Sequence, residues 1–183
     1  QFSFGDPQTA IFAGVELNHD ELKGGVLVLM DSSLYPFIEN TYEEYRQTLI
    51  ADGWKVYLLL VSPDEKDIDV KNKIRQVYSQ NTDLRSLFII GDVARPLSGV
   101  VSAPDGHGYH TGAWIADGFY ADLDYEWTDH YAVDTVNTYP IHENKIGDGR
   151  YDHTSLPSDA ELEVGRLYFE HLPIFEKQPF ELY

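Results

Sequence analysis

Asp117, Asp122, Asp124, Glu126 and Asp129 crowd five carboxylates into one short stretch of this chain. Calcium takes about six to eight oxygen ligands, commonly carboxylates on a short turn joined by backbone carbonyls. Asp122-Leu123-Asp124-Tyr125-Glu126 sets acids at alternate positions, and a curled segment would turn them toward one ion. An extended segment would place Asp122, Asp124 and Glu126 on one face, where a cation would relieve their repulsion. The pattern is not an EF-hand, because the glycine at the sixth loop position and the terminal glutamate are missing. The plainer reading of the same residues is a solvated acidic loop. Asp148-Gly149-Arg150-Tyr151-Asp152 forms a second acidic stretch, in which Asp-Gly is first of all a turn signal.

Other chemistries are weaker. His107 and His110, with Asp105 before them, offer two imidazoles, whereas zinc needs roughly three or four ligands and ordered partners behind them. His130, His142, His153 and His171 show no ligand spacing, so a loop that happens to hold histidines is the simpler account. No Gly-x-Ser-x-Gly occurs, and the serines lack a nucleophile-elbow setting. Gly91-Asp92-Val93-Ala94-Arg95-Pro96 has neither the Walker nor the dinucleotide-binding glycine pattern. With no cysteine, the chain alone has no disulfide, no cysteine-zinc site and no thiolate nucleophile.

The elements that must position these residues are clearest in the first half. Residues 25–30, 54–61 and 87–90 are short apolar runs bounded by Gly, Asp, Ser or Pro, the signature of strands buried on both faces. Between the first two, Ile38, Tyr42, Tyr45, Leu49 and Ile50 recur at helical steps up to a stop at Asp52-Gly53. Between the second and third, Val70, Ile74, Val77 and Tyr78 mark the apolar face of another helix. Lys71, Lys73, Arg75 and Gln76 are expected on its polar face, with Asp67 or Asp69 as cap. This βαβαβ order predicts a three-layer α/β fold, a mostly parallel sheet flanked by helices. Its functional end would be the carboxyl ends of the strands, at Asp31-Ser32-Ser33, Ser62-Pro63 and Gly91-Asp92. Residues 96–160 lose periodicity, as functional or metal-ordered loops do. Short strands are expected over residues 118–121 and 161–167.

Charge narrows the partners. The net charge of −18 argues against nucleic acid and anionic membrane surfaces and favours cations. Between Asp117 and Glu163 stand twelve acids and only two bases, Lys145 and Arg150. No apolar run approaches the ~18 residues of a membrane span. Since the chain opens on Gln1, its natural start is expected upstream.

Three segments resemble, in order, motifs of the gingipain-type cysteine peptidases. Leu87-Phe88-Ile89-Ile90-Gly91-Asp92-Val93 is similar to that family's strand and turn. Asp117-Gly118-Phe119-Tyr120-Ala121-Asp122-Leu123-Asp124 resembles its D-x-x-Y-A-D-L-D segment. Leu156-Pro157-Ser158-Asp159-Ala160-Glu161-Leu162-Glu163-Val164-Gly165-Arg166-Leu167 resembles its P-S-D-x-E-L-x-V-G-R strand. The resemblance covers residues 25–175 and implies the N-terminal half of a caspase-like catalytic domain. Residues 1–24 would form an N-terminal arm and residues 176–183 a tail. It also implies a secreted or surface-bound bacterial protein, calcium at Asp117, Asp122 and Asp124, and a protein or peptide substrate. The family's histidine-cysteine dyad lies downstream of the V-G-R strand, so no catalytic residue transfers to this chain. Residues 97–116 depart from the family pattern. On this reading the open sheet edge calls for the downstream half, or a second copy, as partner. The competing reading is a non-catalytic, calcium-stabilised binding or scaffold module derived from a peptidase fold.

Overall fold

The computed structural model describes residues 22–100, 111–131 and 140–168. Strands β1 (Gly24–Asp31), β2 (Trp54–Val61) and β3 (Leu84–Ile90) alternate with helices α1 (Tyr35–Ala51) and α2 (Asp67–Gln80). Two short strands follow, β4 (Leu97–Ser98) and β5 (Trp114–Ile115), then the single-turn helix α3 (Gly118–Ala121) and a last strand β6 (Glu163–Leu167). The main sheet has the order β2-β1-β3-β6, with every neighbouring pair parallel.

This order explains the layers. The chain steps from β1 to β2 on one side, then crosses back over β1 to β3. Right-handed crossovers in opposite directions put their helices on opposite faces. Side chains alternate accordingly. Leu27, Leu29, Leu87 and Ile89 pack with Val70 and Ile74 of α2 and with Phe119 and Tyr120 of α3. Val28, Met30 and Ile90 pack with Leu34 and with Tyr42 of α1. The result is a three-layer α/β fold with a parallel sheet flanked by helices, as the βαβαβ pattern predicts.

Four local expectations are corrected. β2 is an edge strand with Leu58 and Leu60 exposed, not a strand buried on both faces. Lys71 does not face solvent but is buried, 1% exposed, beside Val70 and Ile74. Asp67 and Asp69 do not cap α2: Lys66 occupies the cap position without a side-chain bond, and Asp67 Oδ1 accepts the N–H of Ile68 at 2.7 Å. Residues 118–121 form a helical turn and not a strand, closed by Phe119 N–H to Ala116 O and Tyr120 N–H to Asp117 O, both 2.9 Å. Their aromatic side chains favour strands in general, but here they enter the core from a turn. Gly53 takes a φ of 92° at the end of α1, as its place after Asp52 suggests.

The carboxyl end of the sheet reverses between β1 and β3, the usual ligand crevice of such folds. Here that point is packed. Gly91 lies against Asp31 and Leu34, while Asp31 accepts both the N–H (2.7 Å) and the hydroxyl (2.8 Å) of Ser33. The acidic second half is instead tied down over the α2 face of the sheet. β4 pairs antiparallel with β5, and Ser98 bridges to Tyr151. Gly99 passes so close to Gly112 that an added Cβ would sit 2.1 Å from the Gly112 carbonyl oxygen. No side chain larger than hydrogen fits there.

Candidate metal centre

α3 (Gly118–Ala121) is capped by Asp122, and Leu123 and Asp124 follow. Leu123 is buried in the core, which fixes the two flanking carboxylates. Asp122 is fully buried, 0% exposed, where a carboxylate needs partners. Its Oδ2 accepts the indole N–H of Trp127 at 3.0 Å, and its Oδ1 accepts the N–H of Tyr125 at 3.3 Å. The approach to β6 supplies the other wall. Glu161 is held by its own N–H to Ala121 O at 3.0 Å, and its carboxylate accepts the N–H of Leu123.

Asp122, Asp124 and Glu161 each present a ligating oxygen within 4.8 Å of the other two. This cluster could coordinate a divalent cation. Ser158 Oγ lies 2.8 Å from Asp122 Oδ1 and 3.0 Å from Asp124 Oδ1. One hydroxyl proton serves only one of those contacts, so the other sets two lone-pair oxygens face to face. A cation among them would satisfy both. The donors are all oxygen, the set preferred by calcium and magnesium over zinc or copper.

Two cations of α2 stand behind the cluster. Arg75 donates to the carbonyl of Leu123 at 2.6 Å and to that of Tyr125 at 3.2 Å, which fixes the bend of the loop. The Lys71 ammonium lies 4.3 Å from the centroid of the Phe119 ring and 5.5 Å from that of Trp127. Burial, followed by the charge of Arg75, brings its pKa down to about 8, against the opposing pull of Asp122, Glu161 and Asp124.

Of the five acids singled out by spacing, the structure brings Asp122 and Asp124 together. The cluster found among the described residues does not include Asp117, Glu126 or Asp129. Asp117 is bound by Arg166, whose Nη2 and Nε lie 2.8 and 2.9 Å from its two oxygens. Asp129 accepts the N–H groups of Gly147 and Gly149, each at 2.7 Å, and Glu126 is exposed. Asp148 closes its own turn through the N–H groups of Lys145 (3.0 Å) and Arg150 (2.9 Å). Asp152 accepts those of His130 (2.5 Å) and Tyr131 (3.1 Å). Several of these acids thus anchor loop backbone, a role distinct from both solvated loop and ion ligand. Glu161 was not singled out by spacing. Its signal lay in the P-S-D-x-E-L resemblance, which places an acid two residues before β6. His107 and His110 lie outside the described residues.

Comparison of the chain with protein-family models, with curated proteins and with solved structures finds no match. The site must therefore be read from its own geometry.

His153 beside the cluster has a defined protonation state. Thr128 N–H donates to its Nε2 at 3.1 Å, so Nε2 carries the lone pair and the proton sits on Nδ1. Protonation would break this bond, and burial already lowers the pKa, against the charges of Asp152 and Asp122. The unfolded chain then binds a proton that the native state resists, so stability rises with pH across this titration. We expect the His153 imidazole signal in NMR to titrate below the ordinary ~6.5. Urea stability should fall as pH drops through that value, less so in His153→Asn. A His153 midpoint at or above the ordinary value would contradict this expectation.

Proposed function

We propose that this chain is a non-catalytic, calcium-stabilised binding or scaffold module whose ion is held by Asp122, Asp124 and Glu161. The observation that carries this reading is the convergence of the three carboxylates within 4.8 Å, from two segments that only the fold brings together. Ser158 Oγ supplies a fourth oxygen. Calcium suits the arrangement better than magnesium, because its coordination tolerates irregular geometry, whereas magnesium demands a near-ideal octahedron. The ion would cross-link the end of α3 to the approach to β6. The chain holds no cysteine, so it has no thiolate nucleophile of its own.

An ion that binds only the native state stabilises it by mass action. At calcium one hundred times its dissociation constant the gain is about 2.7 kcal/mol, a rise of several degrees in Tm for a chain of this size. Differential scanning calorimetry in calcium and then in chelator measures it. Glu161→Gln should abolish most of the difference. Identical melting curves in calcium and in chelator would remove the ion from this proposal.

A second reading is the N-terminal half of a secreted gingipain-like peptidase domain. The packing of the three resembling segments against one another supports it. Arg166 of the third binds Asp117 of the second, the carbonyl of Val93 at the end of the first (2.8 Å) and that of Ala94 just after it (3.2 Å). Ser158 and Glu161 of the third meet Asp122, Leu123 and Asp124 of the second. The partner would then be the downstream half or a second copy. No helix among the described residues is long and apolar enough to cross a membrane. Peptide hydrolysis by a longer natural chain, lost on thiol alkylation, is the test of this reading.

A further inference from the structure

Lys71 is the one lysine among the described residues that the fold takes fully out of water. Its Nζ has no hydrogen-bond partner. An ammonium in that position is costly unless other charges or ring faces hold it. It is bracketed by the ring faces of Phe119 and Trp127, and the Trp127 indole N–H is itself spent on Asp122 Oδ2 at 3.0 Å. The wall that seats the lysine is therefore the wall that orients the buried carboxylate. The negative charges that bear on Lys71 are those of Asp122, Glu161 and Asp124. They are the three residues of the candidate cation site.

We infer that Lys71 is the built-in counter-ion of this cluster and limits its affinity for divalent cations. This rests on the cation site proposed above and adds what sets its strength. A fixed positive charge and an incoming ion draw on the same three carboxylates, and each weakens the hold on the other. The geometry leaves the lysine in place when the ion arrives, because Lys71 is fully buried and seated against the Phe119 and Trp127 rings. The ion thus binds against a standing repulsion. Such a site releases its ion at calcium concentrations where an unopposed three-carboxylate site stays loaded.

The test is calcium titration calorimetry on the whole chain, at pH 7 and low ionic strength, with Lys71→Met and Lys71→Gln. Lys73→Met serves as control. Lys73 lies on the same helix but pairs with Glu65 at 2.6 Å at the surface, away from the cluster. Removing the Lys71 charge should tighten calcium binding on the order of tenfold or more, given the strength of charge interactions at partly buried sites. The control should change less than about twofold, as expected for a screened surface charge. The sign of the effect separates this role from a packing role. If Lys71 only fills space beneath Trp127, its replacement loosens Asp122 and weakens binding. Calcium affinity unchanged or reduced in whichever Lys71 variant folds would overturn the inference while leaving the cation site standing. Calcium binding to none of the chains, wild type included, would overturn both.

Discussion

Arg166→Ala unfolds at a clearly lower urea concentration than the parent chain, by an expected loss of about 2–4 kcal/mol. The guanidinium is 10% exposed and its partner Asp117 21%. It makes a two-pronged contact with the carboxylate, at 2.8 and 2.9 Å, and donates to the carbonyls of Val93 and Ala94. Planar, two-pronged pairs of this kind are the strong class of charged hydrogen bonds. Truncation strands one half-buried carboxylate and two carbonyls, so the cost is mainly that of leaving them unpaired. Arg166 also joins three separate pieces: β6, the turn after β3 and the start of α3. Asp117→Asn keeps an acceptor for the guanidinium and should cost less. An Arg166→Ala midpoint equal to that of the parent would show that this junction does not hold α3 in place.

The first half of the fold was legible because its signals are local. The strands are continuous apolar runs, and α1 has an apolar stripe that ends in Asp52-Gly53. What failed was residue type set against position. Lys71 follows Val70 and precedes Ile74 by three, so its place on the helix points inward although lysine normally points out. Positional spacing alone would have placed it correctly. Asp122 and Asp124 were legible as ligand candidates from their alternation. Glu161 was not, because its partnership with them is created by tertiary structure. Asp117, Asp129, Asp148 and Asp152 could not be told from ligands in the sequence, since an acid that accepts from an arginine or from backbone N–H groups and one that faces an ion are the same residue type. Only the convergence of Asp122, Asp124 and Glu161 in the fold separates them. The turn at 118–121 was hidden for a similar reason: Phe119 and Tyr120 have strand-like composition, while the turn is closed by backbone bonds to Ala116 and Asp117 that no local pattern announces.

Phe119→Ala carries the other large effect, an expected loss of about 3–5 kcal/mol, the usual range for removing a fully buried phenylalanine. The ring is 0% exposed. It stacks on Tyr151 at 4.5 Å between centroids and meets Tyr120 and Trp127 edge-on, each at 5.3 Å. It also forms the nearer ring face over the Lys71 ammonium. The substitution thus opens a cavity and removes a cation's support in one step. Phe119→Leu keeps most of the volume and should cost much less, about 1.5 kcal/mol or under by the tolerance of cores to volume-conserving swaps. Urea denaturation of the two variants, followed by tryptophan fluorescence, measures the difference. The consequence for the cluster follows from Trp127. Without the Phe119 edge contact the indole loses a wall, and the hydrogen bond to Asp122 Oδ2 is no longer held in place. Calcium affinity should therefore fall in Phe119→Ala, opposite in sign to the effect of removing the Lys71 charge. Both residues touch the same tryptophan, but one orients the carboxylates and the other opposes the ion. A rise in affinity in both variants would mean that loosening Trp127, and not charge, governs the site.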